Sequence, residues 1–212
     1  MSAGFDPETG LGPRLRLARD ERQLSVRELA RRIGCSASLI SQIERGVSVP
    51  SVGVLYSLAT ELDSSLDHLL FGAELRRPAP VSEPASEPAA REPESGPGIV
   101  QRAGARNIID LASGVRWERL TPGADAMTDF LEVIYSPGGH STDERRPLRH
   151  DGREYGLVIS GTLQANVGFE SYELSAGDSI AFDSSTPHEY LNKTGEPVHA
   201  IWVVIHSEPG RA

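Results

Sequence analysis

The amino-acid sequence predicts a two-domain α plus β chain, with an all-α N-terminal domain followed by an all-β C-terminal domain. Three observations carry this. Apolar residues recur at helical spacing as far as about residue 70 and at a spacing of two beyond about residue 99. Between them, RRPAPVSEPASEPAAREPESGPG (76–98) has a lone valine as its only bulky apolar residue. Pro, Glu, Ser and Ala cannot bury enough surface to offset their ordering entropy, so this stretch reads as a flexible, partly extended tether. The expected divisions are 12–72, 73–98 and 99–207.

In the first division Pro13 suits a first helical position, with Leu15, Ala18 and Arg22 on one face. Ser25 followed by Glu28 is a capping-box signal before VRELARRIG, which stops at Gly34. Ser36 caps ASLISQIER, ending at Gly46; Pro50-Ser51 opens VGVLYSLATEL; Ser65 opens LDHLLF. Five short helices without a strand signal make an all-α unit. After the tether, segments 130–136, 154–160, 162–168, 171–175, 179–183 and 198–206 alternate or run apolar. Turn residues at Ser160-Gly161, Gly168, Ala176-Gly177-Asp178 and Thr194-Gly195 separate many of them. Short strands at this spacing argue for an antiparallel sandwich or barrel.

The formal charge of -9 and pI near 5.2 have the wrong sign for a protein that coats nucleic acid. The regional balance differs: between Arg14 and Arg45 eight arginines face four acids. A basic segment on an acidic chain suits site-specific binding with little non-specific binding. The start, MSAGFDPETGLGPR, lacks the pattern of a signal peptide, and no apolar run reaches the length of a membrane span. One cysteine, Cys35, allows no intrachain disulfide and reads as a packing residue. A cytoplasmic location is expected.

SVRELARRIGCSASLISQIERG (25–46) has the pattern of two helices crossing steeply, so that the second can enter a major groove. Ala30 supplies the small contact residue and Gly34 the turn residue tolerant of positive φ; Leu29, Ile33, Ile40 and Ile43 point inward. Over roughly 12–70 the chain resembles the phage-repressor type of helix-turn-helix found in the xenobiotic-response-element regulators. The resemblance implies a repressor-like DNA-binding domain. It places Ala37, Ser38, Ser41 and Gln42 at the start of the recognition helix, facing base edges, with the cap Ser36 also among the DNA-binding residues. Ser25, Arg27 and Arg45 become phosphate contacts, and Arg19 pairs with Glu44 to tie the first helix to the third.

Two later runs, RHDGREYGLVISG (149–161) and AGDSIAFDSSTPHEYLN (176–192), resemble the paired motifs of the cupin superfamily, a double-stranded β-helix or small jelly-roll barrel. The resemblance implies that His150, Glu154 and His188 point into the barrel as metal ligands. Leu148 stands where the family carries another histidine, and His140 on the turn PGGH is an alternative fourth donor. Two imidazoles and a carboxylate suit one divalent Fe, Mn, Ni or Zn ion, leaving positions open for water or ligand. The other reading of the trio is a metal-free polar network, or a set of direct contacts to an organic ligand. Tyr155, Phe182, Tyr190 and Trp202 are the expected lining of a small-molecule pocket, while His199 and His206 read as ordinary strand residues.

A repressor-like head, a tether and a small barrel form a layout resembling bacterial regulators. That implies a homodimer on a palindromic double-stranded DNA operator, with the barrel sensing an effector. The rival expectation is a non-haem Fe(II) enzyme, since the same pairing of domains occurs in the fosfomycin epoxidase.

Overall fold

Serine caps set the helices of the N-terminal domain. The computed structural model describes residues 10–71, 98–125, 127–142 and 147–206. Helices α1 (Leu11–Glu21), α2 (Val26–Ile33), α3 (Ala37–Glu44), α4 (Val52–Leu62) and α5 (Leu66–Phe71) follow in order. Ser25, Ser36 and Ser51 each accept, through the side-chain oxygen, the backbone N–H three residues on, and Ser65 does the same for His68. Such caps satisfy donors that the first turn leaves without partners. α1 begins two residues earlier than the sequence suggests, after Gly10, which makes no side-chain cap. Pro13 is therefore its third residue, still within the first turn, whose backbone N–H groups have no intrahelical acceptor, so a missing N–H costs no bond there. Gly34 ends α2 at φ 73°, the left-handed conformation that glycine adopts without a Cβ penalty. Leu15, Leu29, Ile40, Leu55 and Leu58 are fully buried and form the head's core.

Among the described residues nine strands follow: β1 (Ile108–Leu111), β2 (Val115–Arg119), β3 (Thr128–Tyr135), β4 (Arg153–Ser160), β5 (Thr162–Val167), β6 (Glu170–Ser175), β7 (Ser179–Asp183), β8 (His188–Leu191) and β9 (Val198–Ile205). They pair antiparallel in a six-stranded sheet, β1-β2-β3-β9-β4-β7, and a three-stranded sheet, β6-β5-β8. β3 and β9 bury alternate residues, which sends Leu131, Val133, Tyr135, Val198, Ala200, Trp202 and Val204 inward. Gly156 of β4 lies opposite Trp202 of β9, and a Cβ built there would stand 2.4 Å from the indole ring. Only glycine lets the ring lie across β4. The tether expected at 73–98 falls on 72–97, outside the described residues apart from its last position.

The head rests against the barrel through α4 and α5. The Ala112 N–H donates to the Pro50 carbonyl at 3.2 Å, and Tyr56 meets Trp117 edge-on with ring centroids 6.0 Å apart. Leu66 and Leu70 of α5 share a crevice with Trp117 and Leu131.

Candidate functional site

On the head, the capped N-terminus of α3 brings Ala37, Ser38, Ser41 and Gln42 onto one helix. Ser38 is exposed and Ser41 and Gln42 are half-buried; Arg27 and Arg45 are exposed nearby in sequence. The Arg45 guanidinium donates to the Ser41 hydroxyl at 2.9 Å. Ser25 and Ser36 spend their side-chain oxygens as caps, which leaves the hydroxyl protons and the backbone amides of the first turns for an anion. Other arginines are committed elsewhere. Arg31 and Arg32 both bind Glu28, and Arg32 also reaches Glu61 at 2.7 Å. Those two guanidiniums hold the Glu28 carboxyl down at about 2. Arg19 forms the expected pair with Glu44, through Nε at 2.6 Å and Nη2 at 3.1 Å.

In the barrel, β4 contributes Glu154, the segment before it His150, and the start of β8 His188. Two strands from different sheets thus bring together residues far apart in sequence. All three side chains are buried, and their ligand atoms lie within 4.8 Å of one another. The His150 and His188 Nε2 atoms stand 2.7 and 3.1 Å from the same Glu154 Oε1. Yet none of these three atoms has a hydrogen bond of acceptable angle. The other ring nitrogens are engaged: Nδ1 of His188 donates to the Thr186 carbonyl at 2.8 Å, and Nδ1 of His150 faces the Asp151 carbonyl at 3.3 Å. A carbonyl can only accept, so each neutral ring carries its proton on Nδ1 and presents a bare Nε2. Burial pushes the Glu154 carboxyl up; rings protonated on Nε2 as well would donate to it and hold it down. Two lone pairs and a carboxylate converging in a buried pocket can be balanced by a proton on a ring nitrogen or by a cation between them. The donor set therefore fits a divalent metal.

The Tyr190 hydroxyl donates to Glu154 Oε2 at 2.8 Å, orienting the carboxylate. Burial, with the Glu154 charge, pushes that hydroxyl well up, so it stays a donor. Leu148 bridges antiparallel to His188 and lines the same cavity, so the position of the absent histidine is an apolar wall. His140 pairs instead with Leu191, its Nδ1 engages the Thr142 carbonyl, and it is not part of the trio.

The expected pocket lining divides. Tyr190 and Trp202 line a cavity of about 30 Å³ with Glu154, His188 and Leu148. Phe182 packs edge-on against His188, with ring centroids 5.1 Å apart. Tyr155 is a correction: it follows Glu154 on β4, and strand alternation turns it to the exposed outer face. Sequence reasoning missed Tyr56, Trp117 and Tyr135, which also line the cavity. His199 and His206 lie outside the site and pair with Glu132 and Asp129, both at β3.

A helix-turn-helix family model matches residues 15–69 and a cupin-domain model residues 131–204. The chain is a two-domain protein, a helix-turn-helix joined to a cupin barrel, and over most of its length it is similar to helix-turn-helix transcriptional regulators. Among its relatives is the HTH-type transcriptional regulator PuuR of Escherichia coli (strain K12). The two are 29% identical over 189 residues, covering 87% of this chain and 90% of the relative. The regulator SutR of the same organism is 24% identical over 190 residues, 89% of this chain and 90% of its own length. A crystal structure of an HTH_3 family transcriptional regulator from Vibrio cholerae shares the fold with TM-score 0.64 at 22% identity. That match covers 95% of this chain and 98% of the other.

Proposed function

We propose that this regulator is a cytoplasmic homodimer that binds a palindromic operator and whose cupin barrel senses a small molecule through one divalent metal, without catalysing a reaction. Ser25, Arg27, Ser36, Ala37, Ser38, Ser41, Gln42 and Arg45 form the DNA face, Gln42 being suited to a bidentate contact with adenine. His150, Glu154 and His188 hold Fe, Mn, Ni or Zn, which supplies open coordination positions for a donor atom of the effector. Phe182, Tyr190 and Trp202 surround it. No described helix is long and apolar enough to cross a membrane.

The observation that carries the reading is the intact reading head: α3 keeps its serine cap, its turn glycine before it and polar side chains at its start. Dimerisation is supported by the outer face of the six-stranded sheet, where Phe130, Tyr155, Leu157 and Ile205 are exposed together. A second copy on that face would cover them, and two heads could then meet half-sites about 34–36 Å apart.

Gel shifts with purified protein and genomic fragments test the reading. Sequence-selective, salt-sensitive complexes are expected, weakened roughly tenfold by Gln42→Ala in keeping with the loss of one bidentate base contact. Absence of any preferred fragment in moderate salt would count against it. Oxygen uptake with candidate substrates, lost on Glu154→Ala, would favour an enzyme instead.

A further inference from the structure

We propose that the barrel's ligand site is completed by the DNA-binding head: Tyr56 of α4, stacked on His150, closes the mouth, and an effector larger than a water molecule or two enters only when α4 withdraws. The inference rests on the reading of the barrel as a sensor, and it adds how occupancy reaches the head.

The Tyr56 and His150 rings lie 4.2 Å apart and 9° from parallel. Val52 and Tyr56, one turn apart on α4, line the same cavity as Glu154 and His188. Both are buried, although the cavity they cover belongs to the other domain. Beside them α4 lies against the barrel. A Cβ built on Gly53 would meet Leu148 Cδ2 at 3.4 Å, then Ser141 and Thr142, all of them barrel residues. The cavity so closed measures about 30 Å³. A water needs about 10–15 Å³ on this measure, so the closed site has no room for an organic molecule.

The consequence is competition. A molecule seated against the trio takes the space of the Tyr56 ring, and binding it and docking the head exclude one another. The ligand shifts the arrangement of the head by its differential affinity for the open barrel, with no need for a relay through the barrel's core. The ligand class follows from the lining: a small molecule with an apolar body, to replace the phenol ring against Trp117 and Leu148, and one donor atom directed at the trio.

The two tryptophans of the chain, Trp117 and Trp202, both line this cavity and are almost fully buried. Their fluorescence therefore reports on the mouth without any ligand or metal. The experiment is acrylamide quenching of the full-length protein, comparing wild type with Tyr56→Ala, Tyr56→Phe and Gly53→Leu. Gly53→Leu serves as a wedge, since its side chain meets only the barrel and leaves the head's core intact. Thermal melts identify a variant that fails to fold, and Gly53→Leu decides if Tyr56→Ala does. Closure predicts weak quenching in wild type and Tyr56→Phe, and a quenching constant raised about threefold or more in Tyr56→Ala and Gly53→Leu. Wild-type tryptophans quenched as readily as those of the opened variants would overturn the proposal, as would a Tyr56→Phe protein as open as Tyr56→Ala. Failure to find an operator while quenching follows this pattern would sink the regulator reading alone.

Discussion

Arg19 is a charge held inside the head, and its partners explain how. Nε and Nη2 bind the two oxygens of Glu44, while Nη1 reaches Asp20 and the Leu24 carbonyl. The Arg19 and Glu44 side chains are only 9% and 10% exposed, so removing one leaves the other buried and uncompensated. Arg19→Ala is expected to cost about 3 kcal/mol, whereas Arg19→Met with Glu44→Leu should cost far less; urea titrations of the three proteins measure it. His206 behaves differently because it titrates near neutrality. Asp129, 2.8 Å away, raises it above its ordinary 6.5 despite desolvation. The folded state thus favours the charged imidazole. Its contribution is complete below about 6.5 and is lost as pH rises through the higher folded value. Melting temperature should fall across that window, and His206→Phe should flatten the fall. Arg19 and Glu44 were legible from the sequence through family resemblance; the partner of His206 lies 77 residues away and carries no local signal. Tyr155 was misplaced because a pocket was inferred from residue type, when its neighbour Glu154 already occupied the inner face.

Elements were legible where their signals are local. Ser25, Ser36, Ser51 and Ser65 each mark a helix start because the cap bond spans three residues. Strands of six to eight residues showed through their alternation. β8 is four residues long, too short for alternation to register, although it carries His188. β1, also four residues long, was missed for the same reason; β2 was missed although β7, equally five residues long, showed at 179–183. The reason for Gly156 was equally hidden, since nothing in REYGLVIS names Trp202 as its neighbour. Gly156→Ala forces a methyl into that ring, and overpacking of this kind costs about 1–3 kcal/mol. A thermal melt should show the loss, and Trp202→Leu in the same chain should recover part of it.

At the scale of the molecule, the division into two domains followed from composition, because the change of period and the Pro-rich stretch are properties of long segments. How the domains meet was not accessible that way. Nothing in VGVLYSLATEL singles out Tyr56; that it faces the neighbouring domain depends on packing between segments about 90 residues apart. The outer sheet face makes the remaining prediction. Leu157→Lys places a charge amid Phe130, Tyr155 and Ile205, and sedimentation should show a shift from dimer toward monomer with the barrel still folded. Operator affinity should fall with it, and an unchanged dimer would exclude that face as the interface.

Regulators of this layout invite exchange of parts, one head grafted onto another's barrel to rewire a response. The stacking of Tyr56 on His150 limits that freedom. A transplanted head brings its own residue to the barrel's rim, and a smaller one would leave the chamber standing open whatever the surroundings contain. The unit that can be traded between such proteins is then a head together with the rim it was shaped against.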